Sequence, residues 1–514
     1  MSAHISDGHT RAVAIRVAFI AAECEPWAKT GGLADVVDAL ARALGQIGGG
    51  PSGELDGLVD VFIPRYRGMR EPDGARAVEL RIPDPLAASG AISAQLLIAE
   101  THGYRLHLVD IPAAFDRDGM YGTPTSDHPD NAWRFGLLNR AVLEYLRAAP
   151  SRGERAPDLI HIHDWHTGPA ALLRETEPAI TDAALVLTVH NLAYHGWTPA
   201  ERVPELGLGG VRWQRLPGAN ADGIDLLRSA IDLSDLVNTV SPGFAAEALG
   251  PEMGMGLDGD LRAKGDRFLG ILNGLDTDLW DPATDEALPA TYSRTALAGK
   301  AACRRGLLEE IGLDPDDARP VLSMVGRLDR QKGFDILAEA APTLVARGMR
   351  LAILGSGNPD VVEPLRSFAS SSAAAGQIAL MERFDRDLAR RLYAGADGFL
   401  MPSRFEPCGT GQMVALRYGT PPIVHAVGGL RDTVIDVDAH PSTGTGFVFE
   451  GGTAGALIDA CDRFAARFST GGPEWSALLD RGMSVDFDWR SSSAPAYLAA
   501  YRRAIDIRRL VTSR

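Results

Sequence analysis

The sequence predicts an α/β protein built from two doubly wound, Rossmann-like halves. Short apolar runs alternate with helix-period patterns along most of the chain. The alternation pauses in the polar, Pro-containing stretch from Asp281 to Gly299 and starts again at Val321. At 514 residues the chain also exceeds what one hydrophobic core usually supports.

In the first half, Val17–Ile20, Val59–Ile63, Leu106–Val109, Leu159–Ile162 and Leu185–Val189 are apolar nearly throughout, as buried parallel strands are. The first lies inside an apolar stretch from Ala12 to Ala22. Arg16 interrupts that stretch and Glu23 and Glu25 follow it, so it reads as a strand and not as a signal-peptide core. Val36, Val37, Leu40 and Leu44 mark one helix, and Phe135, Leu138, Val142, Tyr145 and Leu146 share the face of another. The second half repeats the scheme with strands at Val321–Val325, Leu351–Leu354, Gly398–Met401 and Pro422–Val424. The change of domain is expected within 271-ILNGLDTDLW-280, giving domains 1–272 and 273–489 and a C-terminal helical segment, 490–514, that crosses back to the first. The segment 48-GGGPSGELDG-57 is a loop by composition.

A hydrophobic fraction of 45% with 23% charged residues is ordinary for a globular protein. The net charge of -16 argues against nucleic acid or an anionic membrane surface as partner, since both call for a basic face. Cys24, Cys303, Cys408 and Cys461 are widely spaced, which excludes a disulfide framework or a structural zinc site and suits a reducing cytoplasm. No apolar run is long enough to span a bilayer.

Each informative motif follows a predicted strand, where open α/β sheets bind ligands. In 29-KTGGLADV-36, two glycines precede a helix; alone they read as a turn and cap, but Lys29 adds a cation beside amides that can face an anion. In 323-SMVGRLDRQKGFD-335, Arg327 and Lys332 flank a glycine turn, a planar fork and a flexible ammonium that together suit a diphosphate, although a basic pair is more often a solvated surface. In 402-PSRFEPCGTGQ-412, Glu406 sits in a turn before a helix through Met413, Val414 and Leu416. It can accept sugar hydroxyls or stabilise positive charge, or simply cap the helix. The acid-x-acid pairs scattered through the chain are expected by chance in so acidic a sequence.

The stretch 161-HIHDWHTGPA-170 places three histidines within six positions, a spacing that invites a metal reading. His161 and His163 lie within the strand and His166 past its end, so convergence is not required, but His190 and Asn191 follow the next strand and keep that reading open.

The ordered set KTGGLADV, HDWHTG, TVHNLAYHG, ILNGLD, GRLDRQKGFD, LYAGAD, PSRFEPCG and GGLRDTV resembles bacterial glycogen synthases and plant starch synthases, from about Arg16 to about Tyr501. The resemblance implies a GT-B fold with the active site between two Rossmann-like domains. It also implies transfer of glucose from ADP-glucose to the non-reducing end of an α-1,4-glucan such as glycogen, with retention at the anomeric carbon and no cofactor or metal. Lys29, Gly31, Gly32 and Asp35 then belong to the substrate side of the first domain, with Asp130 in the acceptor groove and Asn191 near the transferred glucose, which His166 contacts. In the second domain Arg327 and Lys332 hold the diphosphate, Tyr393 lies near the nucleobase and Glu406 binds the donor sugar. Asn273 matches the LNG asparagine, Cys408 lies close by without a chemical role, and amides from Gly409 through Thr410 to Gly411 bind phosphate.

Two departures stand out. Thr410-Gly411-Gln412 replaces the usual Leu-Thr-Gln after EPCG, which leaves UDP-glucose open as an alternative donor, and the glycine-rich loop at 48–57 has no family counterpart. Two further readings are a histidine-metal hydrolase and a glucan-binding or priming protein with little turnover. The complete set of Arg327, Lys332 and Glu406 speaks against the last.

Overall fold

The structure, a computed structural model, describes residues 14–48, 53–84, 86–123, 126–174, 180–208 and 212–513; part of the glycine-rich segment at 48–57 and the start of the 12–22 stretch lie outside them. The chain forms two compact units. The first comprises the described residues of Met1–Thr239, Ala248–Leu269 and Ser492–Arg514, the second Val240–Glu247 and Gly270–Ser491.

The first unit is built on a nine-stranded sheet. Val17–Ile20 lies between Asp60–Pro64 and Leu159–His163, parallel to both. Tyr104–Asp110 extends the sheet on one side, and Ala184–Val189 and Leu236–Thr239 extend it on the other, all in parallel. Val17–Ile20, Asp60–Pro64, Leu159–His163 and Ala184–Val189 are buried along their whole length, so these apolar runs are packed on both faces. Beyond Tyr104–Asp110 the sheet turns antiparallel through Ala91–Thr101 to the edge strand Arg76–Pro83. That edge strand is mostly exposed and alternates polar with apolar residues, which is why a search for continuous apolar runs passes over it. The helix Asn131–Arg147 packs with its predicted face inward. The C-terminal helix Ala494–Thr512 belongs to this unit, where Tyr501 shares a 2.9 Å hydrogen bond with His161 Nδ1 and Asn238 Nδ2 donates to the Tyr497 hydroxyl at 3.1 Å.

The second unit carries six parallel strands in the order Ile378–Met381, Arg350–Leu354, Val321–Val325, Gly398–Met401, Pro422–His425, Phe447–Phe449. Numbered along the chain this is the 3-2-1-4-5-6 order of a dinucleotide-binding sheet, and the order reverses between Val321–Val325 and Gly398–Met401. Ligands bind such sheets beyond the strand ends at that reversal.

No helix among the described residues is long and apolar enough to cross a membrane. Several of the acid-x-acid pairs have local structural partners: Asp276, Asp436 and Asp486 accept from the backbone N–H two residues on, and Asp116 and Asp118 both bind Arg67.

Candidate active site

In the first unit the site residues follow three adjacent strands. After Val17–Ile20, Glu23 turns its buried carboxylate back onto the glycine turn and accepts from Thr30 N (2.5 Å), Thr30 Oγ1 (2.6 Å) and Gly31 N (3.1 Å). Tyr121 donates to the same carboxylate at 2.5 Å. Gly31 and Gly32 have no left-handed torsion, and a Cβ added to either would meet nothing within 4 Å. Neither backbone nor packing demands glycine here, so the missing side chains leave room over the turn. Lys29 Nζ binds Asp35 at 2.6 Å and lies 3.3 Å from Glu25.

After Leu159–His163 the chain kinks at Asp164, with φ 56° and ψ -176°, a region that side chains rarely occupy. The buried Asp164 carboxylate compensates by accepting from His190 N at 2.7 Å and Asn191 N at 3.5 Å, which ties the ends of two neighbouring strands together. Burial pushes its pKa up to about 7 against the pull of those amides. Two residues on, His166 is enclosed by Trp165 (4.1 Å between ring centres), Tyr121 (4.7 Å) and Phe135 (4.7 Å). Its Nδ1 is buried with no partner among the described residues, and burial together with Arg134 brings its pKa down to about 3. His166 is therefore a neutral imidazole at physiological pH. Asn191 Oδ1 accepts from Ala193 N at 2.9 Å, and Asp130 is held by Arg117 at 2.9 Å.

The other histidines of the cluster bond within the strand ends and to the C-terminal helix. His161 uses both ring nitrogens, on Thr188 Oγ1 (2.7 Å) and Tyr501, and His163 Nδ1 shares a bond with His190 Nε2 at 3.1 Å. Among the described residues, no three His, Cys, Asp or Glu side chains are placed to hold a metal ion.

The second unit's residues follow the two strands at the sheet's reversal. Glu406, nearly buried, accepts from Lys332 Nζ at 2.5 Å and from Ser403 Oγ at 3.1 Å. The loops that carry this pair are fitted to one another: a Cβ on Gly333 would lie 1.9 Å from Pro402 O, and one on Gly428 2.1 Å from Glu406 O. Gln412 fastens the turn further by donating to the carbonyls of Cys408 and Gly409. Arg327 is 65% exposed and stays outside the pair, bound to Asp329 and Gln331. Asn273 Oδ1 is buried without a partner among the described residues. Burial raises the Cys408 thiol to about 12, so it carries no charge. Tyr393 packs among Phe399, Trp280 and Tyr418 in the apolar core and is 6% exposed. Thr410 stands exposed before the helix Gly411–Arg417 and makes no side-chain cap.

Comparison with known proteins decides the family. The family described as "Starch synthase catalytic domain" matches residues 16–263, and "Glycosyl transferases group 1" matches residues 319–467. Glycogen synthase 2 of Geobacter sulfurreducens is 40% identical over 505 residues, covering 96% of this chain and 100% of that protein. This chain belongs to the glycogen synthase family. A glycogen synthase of Anaeromyxobacter dehalogenans is 41% identical over 95% of this chain and 99% of its own length. Among solved structures, the catalytic domain of starch synthase IV from Arabidopsis thaliana bound to ADP and acarbose aligns with a TM-score of 0.83 at 31% identity, covering 96% of this chain and 100% of that one. The fold is GT-B, and this member of the glycogen synthase family is a glucosyltransferase.

Sequence reasoning passed over Glu23, Tyr121 and Asp164 in this glycogen synthase-family chain. Asp164 stood inside a motif already singled out, but its role appears only with its torsion angles. Glu23 and Tyr121 are 98 positions apart, and nothing local links them.

Proposed function

We propose that the chain transfers glucose from ADP-glucose to the non-reducing end of an α-1,4-glucan, with retention, in the cytoplasm. The observation that carries this reading is the Lys332–Glu406 pair at the reversal of a 3-2-1-4-5-6 sheet, a place suited to a nucleotide diphosphate. The solved starch synthase relative holds ADP and acarbose, which supports a nucleotide sugar and a glucan as the substrates here.

The second domain then takes the donor. Lys332 has three N–H donors and spends one on Glu406, so it can neutralise the buried carboxylate and still reach a diphosphate. Arg327, exposed at the end of its strand, supplies a planar fork for the same charge. As the glucosyl–phosphate bond loosens, these cations and the amides of Gly409 to Gly411 stabilise the departing phosphate, while Glu406 faces the positive charge growing on the sugar. Asn273 offers its unpaired Oδ1 to a sugar hydroxyl, Cys408 only packs, and Tyr393 lends an edge to the nucleobase.

The first domain takes the acceptor and the transferred glucose. Neutral His166 accepts from or donates to glucose hydroxyls without charge repulsion, and Asn191 adds an amide. The open turn at Gly31 and Gly32, with Lys29 and Asp35 beside it, allows close approach, and Asp130 binds acceptor hydroxyls. Retention follows when the leaving phosphate oxygen itself takes the acceptor proton on the same face. The Lys332 bond dampens Glu406 as a nucleophile, which favours this route over double displacement.

The test is nucleoside-diphosphate release by metal-free protein with glycogen in excess chelator, comparing ADP-glucose with UDP-glucose. ADP release coupled to glucan growth is the expected result. Faster turnover of UDP-glucose would overturn the donor assignment, and activity only on restoring a divalent metal would overturn the mechanism.

A further inference from the structure

We propose that Arg134 is a positioning residue for glucosyl transfer: its buried guanidinium fixes the segment that carries Tyr121, and so sets the walls of the basin around His166 without touching a substrate. This rests on the glucosyl-transfer reading above. Arg134 stands near the start of the helix Asn131–Arg147 and is wholly buried.

An arginine in such a place needs a reason. Its Nη2 is buried without a hydrogen-bond partner, and no carboxylate pairs with the guanidinium among the described residues. A buried charge without a counter-ion is costly, and an apolar side chain of similar volume would pack here at less cost. Phe115 and Phe135 offset part of it, with ring centres 5.1 and 5.5 Å from the guanidinium carbon. The rest is compensated by what the remaining donors hold.

After the short helix Pro112–Phe115 the chain runs without regular structure from Asp116 to Tyr121 and then meets the strand Gly122–Thr123. The inward carbonyls of such a segment have no ladder to join, and a buried carbonyl requires a donor. Arg134 Nε donates to Ala114 O at 2.7 Å and Nη1 to Met120 O at 3.0 Å, so one planar group bridges both ends of the segment. Nη1 also donates to Asn131 Oδ1 at 2.6 Å. Asn131 in turn donates from Nδ2 to Tyr121 O at 2.9 Å, where His128 N donates as well, also at 2.9 Å. Arg134 thus reaches Tyr121 both through the neighbouring Met120 carbonyl and through the Asn131 amide.

At Tyr121 this support meets the chemistry. The Tyr121 ring stands 4.7 Å from the His166 ring, and its hydroxyl donates to the Glu23 carboxylate that holds Thr30 and Gly31. A small shift of Tyr121 therefore moves one wall of the sugar basin and loosens the glycine turn with it. The charge acts on the same basin: after burial, the Arg134 cation is the second influence that holds His166 neutral. The rigid fork is what the arrangement needs, because an ammonium presents its donors from a single atom and cannot span Ala114 and Met120.

The test compares initial-rate ADP release and urea unfolding in the full-length protein and its Arg134→Lys, Arg134→Gln and Asn131→Ala variants. Both Arg134 variants should lose kcat on the order of 10²-fold, with the KM for ADP-glucose within about threefold of the parent, because displacement in the first unit leaves donor binding alone. Asn131→Ala cuts the link to Tyr121 and leaves the buried cation in place, and should lose about tenfold in kcat. A purely structural arginine would lower the urea midpoint and leave kcat per folded molecule unchanged, which would overturn the proposal. Full activity in Arg134→Lys would overturn it too, since charge without the fork would then suffice. If the Arg134 variants do not fold, Asn131→Ala decides, and a kcat within about twofold of the parent overturns the role. A parent that releases no ADP from ADP-glucose would overturn the transfer reading instead. Maltoheptaose affinity then decides for Arg134: about fivefold weaker binding in Asn131→Ala upholds the positioning role, and equal affinity overturns it.

Discussion

The two units place their candidate residues at the same topological position, past the carboxyl ends of parallel strands, and fill it with opposite chemistry. In the first, His161, His163 and His166 are buried, His190 is partly buried, and all four are pushed towards the neutral form, with His166 among aromatic rings. In the second, a buried carboxylate is bound to a lysine, with an exposed arginine beside it. On the proposed function, the fold sets where a ligand goes and the side chains set which part of it each unit takes. A neutral basin suits a sugar, and a charged one suits a diphosphate and the charge that grows as it leaves.

The sharpest way to break this comparison is to remove the charge. Glu406→Ala should lower kcat on the order of 10³-fold, whereas His166→Ala should cost roughly 10²-fold, both read by initial-rate ADP release. A Glu406→Ala loss below tenfold would mean that the charge acts elsewhere. Lys332→Ala should destabilise the protein by about 3 kcal/mol in denaturant unfolding, because it leaves Glu406 buried without its cation. Adding Glu406→Gln to that variant should restore stability but not activity.

Acid should separate the units next. His166 and His190 fall from the ordinary 6.5 to about 3, so the unfolded chain binds their protons first, and stability present above pH 6.5 is lost as pH falls towards 3. Asp164 opposes this: its pKa rises from 3.8 to about 7, so the folded chain binds its proton first, and acidification across that window stabilises. Asp164→Asn should therefore make the first unit's acid sensitivity steeper, with little effect on the second, as hydrogen exchange between pH 7 and 5 would reveal. An unchanged slope would remove Asp164 from the account.

The smallest effect separates two kinds of glycine. Gly31→Ala meets open space and should keep stability within about 1 kcal/mol while raising a substrate KM about fivefold. Gly428→Ala, with 2.1 Å to Glu406 O and φ 42°, should destabilise the protein outright. A Gly31→Ala enzyme with unaltered KM values would show that no ligand approaches that turn.

Much of this was legible in the residues. The run Val321–Val325 and the run Gly398–Met401 coincide with strands to the residue, because a strand buried on both faces must be apolar throughout. The edge strand Arg76–Pro83 and the small antiparallel sheet of Trp197–Pro199, Gly223–Asp225 and Ala219–Asn220 escaped notice, since strands with a solvated face leave only weak alternation. Lys332 and Glu406 were each identified as candidates, but as ligands of different parts of a substrate and not of each other.

The sequence by itself determined the strand-and-helix alternation, the two-part division and the placing of motifs after strands, because these depend on periodicity and composition over a few neighbouring residues. Only the tertiary structure decided which groups meet. Lys332 and Glu406 are 74 positions apart, Glu23 and Tyr121 98, and His161 and Tyr501 340. Whether a histidine is a scaffold post or an open, neutral contact for sugar depends on what fills the space around its ring, and distant segments supply that.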